Sequence, residues 1–128
     1  MKIDVKNILL VTKNDDLIEA LKIILGGQYS LFLLKTLEFT PKSSFSYNCI
    51  LFDFINKTES KFEDFQRIKL KAKVPMIAIF DKEDIWSRKE AMAIGIYDYL
   101  EVPLEPDRVL MAVNRAINYE KLSRFGEK

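Results

Sequence analysis

The chain predicts a doubly wound α/β domain, with a five-stranded parallel sheet covered by helices on both faces. Three observations carry this reading. Apolar runs of strand length recur five times along the chain. Helical segments separate most of them. Nearly all the runs are continuously apolar, as in parallel strands buried on both faces, rather than alternating. Crossovers between parallel strands are almost always right-handed, which leaves few topologies open.

The first run, NILLVT (7–12), is followed by NDDLIEALKIIL (14–25). There Leu17, Ile18, Leu21, Ile24 and Leu25 fall at helical spacing. Asn14 suits the N-cap, Asp15 and Asp16 suit the positive helix start, and Gly26-Gly27 stops the helix. YSLFLL (29–34) is the second strand. KTLEFTPKSSFSYN (35–48), with Pro41 and a cluster of serines, supports only a short or irregular helix. CILFDF (49–54) is the third strand. ESKFEDFQRIKLKA (59–72) is helical, with Phe62, Phe65, Ile68 and Ala72 inward. VPMIAIF (74–80) is the fourth strand. DKEDIWSRKEAMAIG (81–95) is a helix with Ile85, Ala91, Met92 and Ile94 inward. IYDYLEV (96–102) alternates as the fifth strand, and 105–124 forms the last helix. About five helices are expected.

Composition narrows the chemistry. The 128 residues suit one domain with a sizeable core. A net charge of +1 gives no electrostatic case for nucleic acid or an anionic membrane. The absence of histidine excludes a Ser-His triad, a histidine base and a histidine metal site. The single cysteine, Cys49, sits in an apolar strand, cannot form an internal disulfide and reads as core. No signal peptide and no membrane-length apolar run are evident, so a cytoplasmic location is expected.

In such folds chemistry sits outside the carboxyl ends of the strands. Those ends are Thr12-Lys13, Asp53, Phe80-Asp81 and Val102-Pro103. Asp53 is the feature to explain, because it closes the strand NCILFDF with a lone carboxylate.

Taken together, ILLV with its helix, CILFD, VPMIAI and AMAIGIYDYLEVPLEPDRVLMAVNRAI resemble, in order and spacing, a response-regulator receiver domain. The match spans about residues 5–120, and the last block is similar to the family's Ala-x-x-x-Gly-Ala-x-x-Tyr-Leu-x-Lys-Pro ending. The resemblance implies a flavodoxin-like sheet in the order 2-1-3-4-5, with 1–118 as the domain and 119–128 extending its last helix into a linker. It implies that Asp53 holds the phosphoacceptor position.

Most of that family's helpers are replaced. Thr12 and Lys13 stand where two acids would bind Mg²⁺, Phe80 where a hydroxyl would bind the phosphoryl group, and Val102 where a lysine would pair with it. Asn56, Lys57 and Lys61 replace the usual loop residues after the aspartate. The resemblance further implies that Tyr99 is the switch aromatic and that the Val102–Pro103 peptide is cis. We expect Lys13 to ion-pair with Asp53, standing in for the metal, and we expect no cofactor because the Mg²⁺ site is lost.

The expected function is a non-catalytic signalling and interaction domain, not an enzyme. The alternatives are a divergent receiver still phosphorylated on Asp53, and a small-molecule-binding domain with Phe80 and Val102 lining its pocket. The last block is also similar to receivers that precede an ATPase module in enhancer-binding transcription activators. It suggests an attached effector or protein partner and a homodimer through the last helix. Trp86, Tyr119, Leu122 and Phe125 are the interface candidates, and direct contact with membrane or nucleic acid is not expected.

Overall fold

The structure, a computed structural model, describes residues 5–34, 47–55 and 59–126. The elements run β1 (Asn7–Val11), α1 (Asp15–Leu25), β2 (Ser30–Leu34), β3 (Cys49–Asp53), α2 (Glu59–Ala72), β4 (Met76–Asp81), α3 (Ile85–Ile94), β5 (Asp98–Val102) and α4 (Pro106–Gly126). Every strand pairing is parallel, and the sheet order is β2-β1-β3-β4-β5. This is the expected doubly wound, flavodoxin-like fold, with four helices among the described residues. The irregular helix expected in 35–48 falls mostly outside them.

Two cores explain the continuous apolar runs. Successive side chains of a strand point to opposite faces. Ile8, Leu10, Leu51, Ile77, Ile79 and Leu100 pack with α1 and α4 on one face. Leu9, Val11, Ile50, Phe52, Met76, Ala78 and Phe80 pack with α2 and α3 on the other. Each of these side chains larger than alanine contributes about 1.5–3 kcal/mol on burial, so neither face tolerates a polar alternation. Cys49 lies fully within the first core.

Local signals set the helix ends. The Asn14 side chain accepts from the Leu17 amide at 3.2 Å and caps α1, with Asp15 and Asp16 in the first turn. At the far end the Gly26 N–H donates to the Lys22 carbonyl. A β-carbon at Gly26 would stand 2.4 Å from that oxygen, so the close approach requires glycine. Asp84 caps α3 by accepting from the Ser87 amide at 3.0 Å, and Gly95 closes α3 in the left-handed region at φ 109°.

The face of α3 differs from the sequence expectation. Ile85 and Met92 are more than half exposed, while Ser87 and Ala91 are buried and Ile94 is partly buried. The inward stripe is thus 87-91-94. In α4, Val109, Ala112, Val113, Ala116 and Ile117 pack on the sheet. No helix among the described residues is long and apolar enough to cross a membrane.

Candidate functional site

Asp53 ends β3, the central strand, all five residues of which are buried. Its own exposure is 5%. A buried carboxylate is costly unless its lone pairs are satisfied. Here Oδ2 accepts from the Thr12 hydroxyl at 2.7 Å, and Oδ1 accepts from the Ile55 amide at 2.7 Å. The Thr12 oxygen in turn accepts from the Asn14 amide at 3.0 Å. A hydrogen-bonded chain therefore runs from the cap of α1 through Thr12 to Asp53. It ties the carboxyl end of β1 to that of β3.

The register dictates this pairing. Val11 pairs with Phe52, so Thr12 comes level with Asp53. Neighbouring residues at one level of a parallel ladder share a face, whereas the next residue points away. Thr12 meets the carboxylate for that reason, and Lys13 is exposed. The expected Lys13–Asp53 ion pair is absent from the ion pairs among the described residues. The alternation that brings Thr12 in turns Lys13 out.

Phe80 is fully buried and stacks on Phe54, with ring centroids 5.2 Å apart and planes inclined by 13°. Phe52 and Phe65 complete the cluster. The ring at the hydroxyl position is thus committed to the core shared with α2 and α3. Val102 is partly buried against the other core, and the Val102–Pro103 peptide bond is cis.

Tyr99 is held from several sides. Its ring meets Phe80 edge-on at 6.5 Å, and the Arg88 guanidinium lies 5.2 Å from the ring centroid. Arg88 also donates to Glu101 at 3.1 Å. The Tyr99 amide donates to Asp98 Oδ1 at 2.8 Å, and its carbonyl accepts from Arg108 Nη2 at 2.9 Å. Arg108 completes a two-pronged ion pair with Asp98 at 3.0 and 3.1 Å. That hydrogen-bonded pairing, the dominant effect, raises the guanidinium pKa further above its ordinary value. Arg88, Asp98, Glu101 and Arg108 escaped the sequence reading. Arg88 lies 13 residues from Glu101 and Arg108 ten from Asp98, and only the fold brings each pair together.

Among the interface candidates, Tyr119 is 57% exposed, yet its ring centroid lies 5.3 Å from that of Tyr97. The side chains of Trp86, Leu122 and Phe125 lie outside the described residues, as do Asn56, Lys57 and the side chain of Lys61.

The Mg²⁺ of receiver chemistry needs hard oxygen ligands, chiefly carboxylates. The donor set beside Asp53 does not fit it: a hydroxyl already donating to the carboxylate stands at one acid position and an ammonium-bearing residue at the other. No group of three or more His, Cys, Asp or Glu side chains suited to a metal ion occurs among the described residues.

No protein-family model matches the sequence, and no curated protein matches it either. Solved structures do match the fold. NtrX from Brucella abortus, in complex with ATP, superposes with a TM-score of 0.82 at 20% identity over 94% of this chain. This chain spans only 28% of that protein. A response regulator receiver domain protein from Clostridium thermocellum gives 0.79 at 19% identity, covering 92% of this chain and 98% of the other. The signal receiver domain of a modulated diguanylate cyclase from Desulfovibrio desulfuricans gives 0.78 at 20% identity, covering 94% and 99%. Across nearly its whole length, then, this chain has the fold of a response-regulator receiver domain.

Proposed function

We propose that this domain is a pseudo-receiver: a signalling and interaction module that keeps the receiver fold without its Mg²⁺-dependent phosphorylation. The observation that carries the proposal is the neighbour of Asp53: the Thr12 hydroxyl, and no second carboxylate, faces its Oδ2 at 2.7 Å. Phosphoryl transfer is almost wholly positioning and charge stabilisation. The charge that develops must be offset by a metal ion, by donors or by a counter-charge. Thr12 brings a hydroxyl and no second carboxylate to Asp53, the Phe80 side chain offers no donor, and Val102 offers no counter-charge for a phosphoryl group of about −2. In this reading Asp53 serves as a structural tie between two strand ends.

The module acts by contact, on an attached effector or a separate protein, and self-associates through the extended end of α4. The long α4 and the small share of NtrX that the chain matches both support an attached effector. The test is titration with beryllofluoride and Mg²⁺ while recording amide NMR spectra. The expected result is no saturable shift at Thr12, Asp53, Ile55 or Phe80. Saturable shifts centred on Asp53 would return the domain to the phosphorylatable receivers.

A further inference from the structure

β5 is an edge strand, and such strands carry a row of backbone groups ready to pair with another strand. In a parallel ladder alternate residues bond to alternate sides. Ile50 and Phe54 draw on the carbonyls of Pro75 and Ile79, so 75, 77 and 79 face β3 and 76, 78 and 80 face β5. With Ile77 opposite Asp98 and Ala78 opposite Tyr99, residues 98, 100 and 102 bond to β4. Tyr99 and Glu101 therefore turn their amides and carbonyls outward. At Tyr99 both groups are taken by side chains, the amide by Asp98 and the carbonyl by Arg108. A groove of about 310 Å³ opens beside this strand, lined among others by Tyr99, Glu101, Pro103, Glu105 and Arg108. Strand addition would start along that side.

We propose that the Asp98–Arg108 clamp holds shut a strand-docking edge on β5, and that the occupant of the opened edge is β5 of a second copy of this chain. The strand is self-complementary. Antiparallel pairing about Leu100 sets Tyr99 opposite Glu101 of the partner subunit, and the reverse, so each outward amide and carbonyl finds a partner. That register opposes no like charges, and it puts leucine against leucine on the axis. The proposal is independent of whether Asp53 is phosphorylated.

Sedimentation velocity over a concentration series tests it, with circular dichroism confirming the fold of each variant. Arg108→Ala is expected to assemble beyond the species the wild-type chain forms through α4, at a concentration lower than the wild-type chain needs for that step by about tenfold or more, the worth of one or two net hydrogen bonds. Adding Glu101→Pro removes an outward N–H without touching the ladder to β4, and it is expected to cancel that gain. Asp98→Ala gives the same reading should Arg108→Ala fail to fold. Folded clamp variants that associate no more than wild type overturn the proposal. So does a gain that survives Glu101→Pro, since the association would then run through another surface.

Discussion

Thr12 and Asp53 carry most of the meaning of the site. The hydroxyl is a donor to a buried carboxylate, and hydrogen bonds to charged groups contribute about 1.5–3 kcal/mol. Thr12→Val, which keeps the shape and removes the donor, should lower urea-unfolding stability by an amount in that range. Thr12→Ser should recover most of it. Equal stability of Thr12→Val and wild type would mean the bond carries no energy. Thr12, Phe80 and Val102 do lie where the sequence placed them, at or just past the carboxyl ends of β1, β4 and β5, where this fold class concentrates chemistry. Lys13 was misread. Its charge made it the natural partner for Asp53, but the period of two in a strand decided between neighbours, and that depends on a register the sequence does not print.

At the scale of elements, strand and helix positions followed from apolar run length and capping residues, and their bounds fell within a few residues of expectation. The face of α3 followed only in part: Ala91 and Ile94 pack inward, and Ile85 and Met92 do not. Ile85 and Met92 are apolar at helical spacing and look like core, while Ser87 looks like surface, yet Ser87 is the buried one of the three. Ile85→Lys and Met92→Lys should each change stability by no more than about 0.5 kcal/mol, as exposed positions do. A large loss on thermal unfolding would restore them to the core. Gly95 behaves oppositely. It sits at φ 109°, and an added β-carbon would stand 3.3 Å from the Lys69 side chain. Gly95→Ala should therefore cost about 1–3 kcal/mol, read in the same unfolding experiment.

For the whole molecule, sheet order and the two-sided core were legible because continuous apolar runs allow little else. Assembly was not legible to the same degree, because it rests on faces rather than on spacing. α4 has 21 residues against five or six in each strand, so it extends about 30 Å beside strands of about 17–20 Å. Its buried stripe runs from Val109 to Ile117, and Tyr119 still leans on Tyr97. If the extended end dimerises the chain, truncation after Ile117 should give a monomer where the full chain sediments as a dimer. Equal masses would remove the helix from the interface.

The central claim is that the fold of a phosphorylated switch persists here without its chemistry. Intact-mass measurement after incubation with acetyl phosphate and Mg²⁺ tests it most directly, with Asp53→Asn alongside. The expected result is an unchanged mass for both chains. The addition of one phosphoryl group to the wild-type chain, lost in Asp53→Asn, would contradict it.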